Sequence, residues 1–354
     1  MGTIYVDRLS EALEARVFSR VKFRERRLPH YLYHYTNKDG LEGIISQNRL
    51  WATSAAESPK NDQEEIHYGC DLFKQLIDDQ LTTKRVSEFT AGILDDVKSL
   101  IVERIQNIFL TSFCTLDDDE RMYKTFGGYC LRFPVDNRKD LRVVAPRGLA
   151  ARQGFLTELV PAIYDRREQK AALLSLLNPL LETLEDRSLI VDIDYGGWAP
   201  AMARFVAFTV SDLALTSLTR MKGPGYRRES EWRLVVRPCR LRFSSDPTEA
   251  DRNCECFIKQ GPPKRHVELA PREPQPTLTA GAVFGLPHSE PALPVETVRV
   301  SSCQHDEEAA SVRQLLSKHD LHTVAVLKSR VHTPITHWLH RLLRIALELT
   351  TFAR

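Results

Sequence analysis

Between Tyr31 and Thr53 the chain fits a strand, a helix and a second strand, and that compression limits the folds open to it. Tyr31-Leu32-Tyr33-His34-Tyr35-Thr36 has the aromatic and β-branched character of a strand, and Asn37-Lys38-Asp39-Gly40 closes it as a polar turn. Leu41, Ile44 and Ile45 mark one face of a helix, and Leu50-Trp51-Ala52-Thr53 reads as the next strand. A unit this short cannot carry a Rossmann crossover, and no glycine-rich phosphate loop accompanies it. The later strand signals are equally brief: Phe109 to Cys114, Tyr129 to Phe133 after Gly127-Gly128, Leu141 to Val144, Leu156 to Tyr164, Thr297 to Ser301 and Thr323 to Leu327. Helical patterns separate them. Over Val86 to Ile108 the apolar residues Phe89, Ile93, Val97, Leu100, Ile101 and Ile105 recur mostly by three and four. Further helices are predicted over 167–187, with a kink at Pro179, over Ala199 to Leu218, with a break near Thr209, and over Ala309 to Lys318. The pattern predicts an α+β fold, a mixed split sheet of short strands flanked by helices.

Residues 1–28 read as a helical lead-in, with Leu9, Leu13, Val17 and Val21 on one face, and Pro29 ends it. Residues 29–330 read as one domain, interrupted by proline-rich loops over 243–294. Residues 331–354 close the chain with an amphipathic helix carrying Ile335, Trp338, Leu339, Leu342, Leu343 and Ala346. A hydrophobic fraction of 42% and a charged fraction of 27% are those of an ordinary soluble protein. The formal net charge of +2 selects neither nucleic acid nor membrane as partner. No apolar run approaches the roughly 18 residues of a membrane span. The N-terminus lacks a secretory pattern, and the seven cysteines include no C-x-x-C pair, so a reduced, cytoplasmic protein is expected. Cys254, Cys256 and His266 lack a properly spaced fourth ligand, and no metal is expected. Nothing in the sequence fixes an oligomeric state.

Chemistry concentrates in Gly225-Tyr226-Arg227-Arg228-Glu229-Ser230-Glu231-Trp232-Arg233-Leu234-Val235-Val236, which follows Gly223-Pro224 and reads as a loop running into a strand. Alternation along that strand puts Glu229, Glu231 and Arg233 on one face. Two carboxylates at the mouth of a buried strand are costly unless neutralised or used. Either Arg228 and Arg233 satisfy them as a salt-bridge ladder, or the pair performs chemistry. Upstream, His34 and Thr36 share one strand face and Tyr35 takes the other. Asn61, Asp62 and Glu65 lie in a polar loop from Ala55 to Glu65, which serves either as a helix-capping turn or as a lid or acceptor-binding loop.

His34-Tyr35-Thr36, Asn61-Asp62 with Glu65, Ser112-Phe113-Cys114, Gly128-Tyr129-Cys130-Leu131-Arg132-Phe133 and Tyr226-x-x-Glu229-x-Glu231-Trp232-Arg233 together resemble, in order, an uncharacterised bacterial domain family. That family looks like a divergent branch of the ADP-ribosyltransferase superfamily, and the likeness covers most of residues 30–330. The resemblance implies a substrate, NAD, and an unidentified acceptor, protein or nucleic acid, in a toxin or defence setting. It implies that His34 bonds the adenosine ribose and that Thr36 sits beside it near the nicotinamide amide. Tyr129, or its rival Tyr35, would stack on nicotinamide. Ser112 would be the middle-strand serine of the site, and Glu231 the late-strand carboxylate. Glu229 would serve the acceptor, and Arg233 would orient Glu231. The glycine usual after the first-strand residue is Tyr35 here. The alternative implied by the same fold is a nucleotide- or nucleic-acid-binding module without catalysis.

Overall fold

The computed structural model describes residues 27–57, 60–135, 144–146, 155–186, 199–238, 258–259, 264–271, 292–304 and 306–331. In chain order the elements begin with β1 (Tyr31–Thr36), α1 (Lys38–Gln47), β2 (Leu50–Ser54), α2 (Lys60–Thr83) and α3 (Glu88–Arg104). Next come β3 (Phe109–Cys114), α4 (Glu120–Phe126), β4 (Tyr129–Pro134), β5 (Val144–Pro146), β6 (Phe155–Pro161) and α5 (Arg166–Leu184). The remainder is α6 (Ala199–Leu218), β7 (Glu231–Pro238), β8 (Ile258–Lys259), β9 (His266–Pro271), β10 (Thr297–Val300), α7 (Asp306–Lys318) and β11 (Ala325–Lys328). The class is α+β with a mixed sheet and flanking helices. The described residues fall into two compact units, one drawn from Trp51–Ser112 and Ala145–Leu269, the other from Pro29–Leu50, Phe113–Val144 and Ala270–Arg354. The stretch 29–330, expected as one domain, is therefore shared between two units. The lead-in over 1–28 and the helix expected over 331–354 lie, but for their inner ends, outside the described residues.

Helices make the core of the first unit. Along α3 the buried positions Thr90, Ile93, Leu94, Val97, Ile101 and Arg104 form one stripe, which packs on α6. Ser87 starts that helix, its hydroxyl oxygen accepting the Thr90 amide at 3.2 Å. Helix α6 is enclosed on several sides, through Val206, Ala207, Val210, Ala214, Leu215 and Leu218, and it runs unbroken past Thr209. Inside this packing Arg104 donates to the Phe208 carbonyl at 2.7 Å, pairs with Asp212 and lies over the Phe208 ring. A buried guanidinium is tolerable when its charge is paired, as Asp212 pairs it here. The sheet of this unit pairs β6 with β7 antiparallel, from Phe155 opposite Pro238 to Pro161 opposite Trp232, and β7 also pairs with β3. Strand β2 runs antiparallel to β3, and β8 to β9.

The second unit orders its strands β11-β10-β4-β1. Strands β10 and β11 are parallel and the other pairs antiparallel, which makes the sheet mixed. The end of β3 joins it where Cys114 faces Tyr33. Under this face Tyr35, Cys114, Met122, Tyr123 and Cys130 form a small core with α4. Asn37 caps α1, its side-chain oxygen accepting the Gly40 amide at 2.8 Å. Gly127 follows α4 with φ 125°, and a Cβ there would stand 2.5 Å from the Asn37 backbone, so two requirements meet on one glycine.

Three expectations are corrected. Helix α2 begins at Lys60, so Asn61 and Asp62 lie in its first turn and Glu65 in its second, not on a loop. Helix α4 occupies part of the stretch between the strand signals Phe109 to Cys114 and Tyr129 to Phe133, where no helix is predicted, because Asp119 caps it by accepting the Arg121 and Met122 amides. Strand β7 begins only at Glu231, and Glu229 belongs to the tight helical turn Pro224–Glu229 that precedes it. Among the described residues no helix is long and apolar enough to cross a membrane.

Candidate functional site

The first unit gathers charge around Glu231, the opening residue of β7. A short parallel bridge between Ile163 and Met221 lays the segment after α6 against the segment after β6. Gln169, fully buried on α5, fastens the two: its amide nitrogen donates to the Ile163 and Lys222 carbonyls at 2.6 and 2.8 Å. Its side-chain oxygen accepts the Tyr68 hydroxyl at 2.8 Å. The Lys222 amide in turn donates to the Ile163 carbonyl at 3.1 Å. Gly223 and Pro224 then start the turn that returns the chain to β7, and Ser230 closes it in the left-handed region at φ 47°. That reversal turns Glu229 toward the carboxylate of Glu231 instead of spacing the two along a pleat.

Lys222 joins the two acids. Its ammonium donates to Glu229 Oε2 and to Glu231 Oε2, both at 2.7 Å, and stands 4.9 Å from the centre of the Tyr226 ring. Arg233, two residues along the strand and on the same face, donates from Nε to Glu231 Oε1 at 2.9 Å and from Nη2 to Oε2 at 3.1 Å. Its Nη1 is tied to the Thr219 carbonyl at 2.7 Å. From β3, the exposed Ser112 donates its hydroxyl to Glu231 Oε1 at 2.6 Å. The Glu231 amide donates to the Tyr164 hydroxyl oxygen at 2.8 Å. Burial alone would raise the Glu231 carboxyl, but Arg233 and Lys222 overrule it and hold it down to about 2. Burial pushes the neighbouring Tyr164 phenol up to about 12. Glu231 is therefore an anion at any physiological pH. The Glu229 side chain is 23% exposed against 6% for Glu231, so it is the member of the pair that reaches solvent.

The sequence-predicted residues separate accordingly. Ser112, Glu229, Glu231 and Arg233 meet in the first unit, as their shared face implied for the last two. Arg228 is exposed, and Lys222 takes the part expected of it. His34, Tyr35, Thr36 and Tyr129 belong to the second unit. There His34 is half-buried with its ring 5.7 Å from that of Phe113, and Thr36 pairs with Tyr129 across β1 and β4. Tyr35 is 7% exposed; its hydroxyl donates to the Leu116 carbonyl and accepts the Asp119 amide. Tyr129 is 2% exposed and donates to Glu308 at 2.9 Å. Burial on that scale leaves neither ring an open face for stacking, which removes the ground for either as the nicotinamide platform. Asn61, Asp62 and Glu65 have side chains outside the described residues, as do Cys254 and Cys256. His266 stacks on Trp51 at 4.3 Å between centroids.

Lys222, Tyr164 and Gln169 are the site residues that sequence reasoning missed. A signal for Lys222 did exist: it directly precedes the Gly-Pro-Gly turn that delivers the two glutamates. Comparison with protein families, curated proteins and solved structures gave no match to this chain.

Proposed function

We propose that this chain cleaves the bond between nicotinamide and ribose in NAD and passes the ADP-ribose to water or to a macromolecular acceptor, protein or nucleic acid. The observation that most supports this is the convergence of Glu229 and Glu231 on one ammonium, with the Ser112 hydroxyl completing the contacts of Glu231. Breaking the glycosidic bond builds oxocarbenium character, and a fixed anion stabilises that charge more in the transition state than in the ground state. A carboxylate with its pKa near 2 is a poor proton acceptor and a dependable anion, which assigns Glu231 the electrostatic role. Glu229 reaches solvent and is the member of the pair that would orient an acceptor. The setting named by the resemblance, a bacterial toxin or defence effector in the cytoplasm, fits this chemistry.

A second reading has its own support. The two oxygens of Glu231 already accept bonds from Ser112, Arg233 and Lys222, four donors in all, and a carboxylate offers about four acceptor positions. A saturated carboxylate suits a nucleotide- or nucleic-acid-binding module whose charge cluster is structural. Incubation of the purified chain with NAD, with nicotinamide release followed by chromatography, decides between them. The first reading expects release by the wild type and a fall of roughly a hundredfold in Glu231→Gln, about 3 kcal/mol of transition-state stabilisation. Loss of release in His34→Ala and in Glu229→Gln, with unchanged melting, would extend it to those residues. NAD binding without release establishes the module.

A further inference from the structure

We infer that Lys222 is a positioning residue of the carboxylate pair: its ammonium bridges Glu229 and Glu231 and so sets the pH range over which the buried Glu231 stays an anion. For its kinetic consequence this rests on the NAD-cleaving reading; for the state of the carboxylates it stands alone.

The geometry carries it. The two Oε2 oxygens each lie 2.7 Å from one nitrogen, so they can be no further apart than twice that distance. Two anions that close, one of them buried, cannot both stay ionised without a cation between them. The charged and titratable groups facing Glu231 are Arg233 on its own strand, Lys222 after α6, and Tyr164 after β6, with Glu229 reached through Lys222. Two acids and two bases cancel. Removing the ammonium leaves one uncompensated negative charge, and a proton is then the nearest available cation.

The ammonium is also unusually well held for a lysine. Its residue is 4% exposed, its amide and carbonyl are both bonded across to Ile163 and Gln169, and the Tyr226 ring lies alongside. A lysine side chain loses considerable rotamer freedom when fixed, and here the loss is offset by two charge-assisted bonds. A compact ammonium can bridge two oxygens through one atom, which the planar fork of arginine does differently.

The test is a carboxyl titration of protein labelled with 13C at the glutamate side chains, for wild type, Lys222→Met and Lys222→Arg. The Met variant is expected to protonate Glu231 at a pH at least one unit above the wild type, and the Arg variant to titrate Glu231 close to wild type. If Lys222→Met fails to fold, the double variant Lys222→Met with Glu229→Gln keeps the charges balanced. Glu231 is still expected to titrate above the wild type there, because Arg233 alone then holds its charge. A Met variant in which Glu231 titrates as in the wild type, or a double variant in which it does, overturns the inference. Where the wild type cleaves NAD, the acid limb of its pH–rate profile is expected to move up by the same interval in Lys222→Met. Where the wild type does not cleave NAD, the functional reading fails and the titration still judges Lys222.

Discussion

Acid is the cleanest probe of the Glu231 cluster, because its carboxyl is ionised in the folded chain to far lower pH than in the unfolded one. The folded value is about 2 against 4.5 for the free side chain, a difference of about 2.5 units, and each unit is worth about 1.4 kcal/mol. Glu231 thus contributes about 3 kcal/mol of stability at neutral pH. A depressed pKa gives stability that is fully present above the unfolded value and is lost as pH falls through the folded one, so the loss runs from about pH 5 down to about pH 2. The assay is urea unfolding at a series of pH values for wild type and Glu231→Gln, followed by tryptophan fluorescence, to which Trp232, the buried residue next in the chain, contributes. Other groups that titrate in the same range act on both proteins and cancel in the difference. The stability gap is expected to be widest above pH 5 and to shrink by about 3 kcal/mol by pH 2. A gap that does not vary with pH would mean that the carboxylate is not held by Arg233 and Lys222, and would refute the reasoning.

Three further substitutions test the scaffold. Gly69→Ala on α2 places a Cβ 2.7 Å from the Leu218 carbonyl oxygen, and since backbone must move, a loss of about 1–3 kcal/mol in thermal unfolding is expected; the same change at Gly43 on α1, where nothing lies within 4 Å, is expected to gain about 0.5–1 kcal/mol. Gln169→Leu removes a donor from the Lys222 carbonyl and an acceptor from Tyr68, two groups part-buried or buried, and is expected to cost about 2–4 kcal/mol by urea denaturation.

The regular elements were legible wherever a local pattern carried them. Strands β1 and β3 and helix α6 fall where aromatic, β-branched and apolar runs put them, because short β-rich segments between turn residues and a long apolar helix have few other ways to bury themselves. Helix α4 was missed because seven residues behind an acidic stretch give too little periodicity, although the Asp119 cap was in view. The pairing of Glu231 with Arg233 followed from alternation and was found. Glu229 was placed correctly near them for a wrong reason: alternation assumes an extended backbone, and the left-handed Ser230 replaces it by a reversal that also brings Lys222 in. No periodic rule reports an ion pair made across a chain reversal. Tyr129 and Tyr35 were chosen as aromatics on strands, and strand position alone does not tell an open ring from one that fills a core.

The Gln169 clamp and the bridged acids make Lys222, Glu229, Glu231 and Arg233 one heritable unit, not four independent positions. A substitution that deletes one charge strands its opposite in a place nearly closed to water, so drift there must proceed in matched acid–base steps. The mark such a unit leaves in a sequence is Lys-x6-Glu-x-Glu-x-Arg, with the turn lying inside the longer gap. Chains that keep all four would share this electrostatic kernel even where little else of the two units can be aligned.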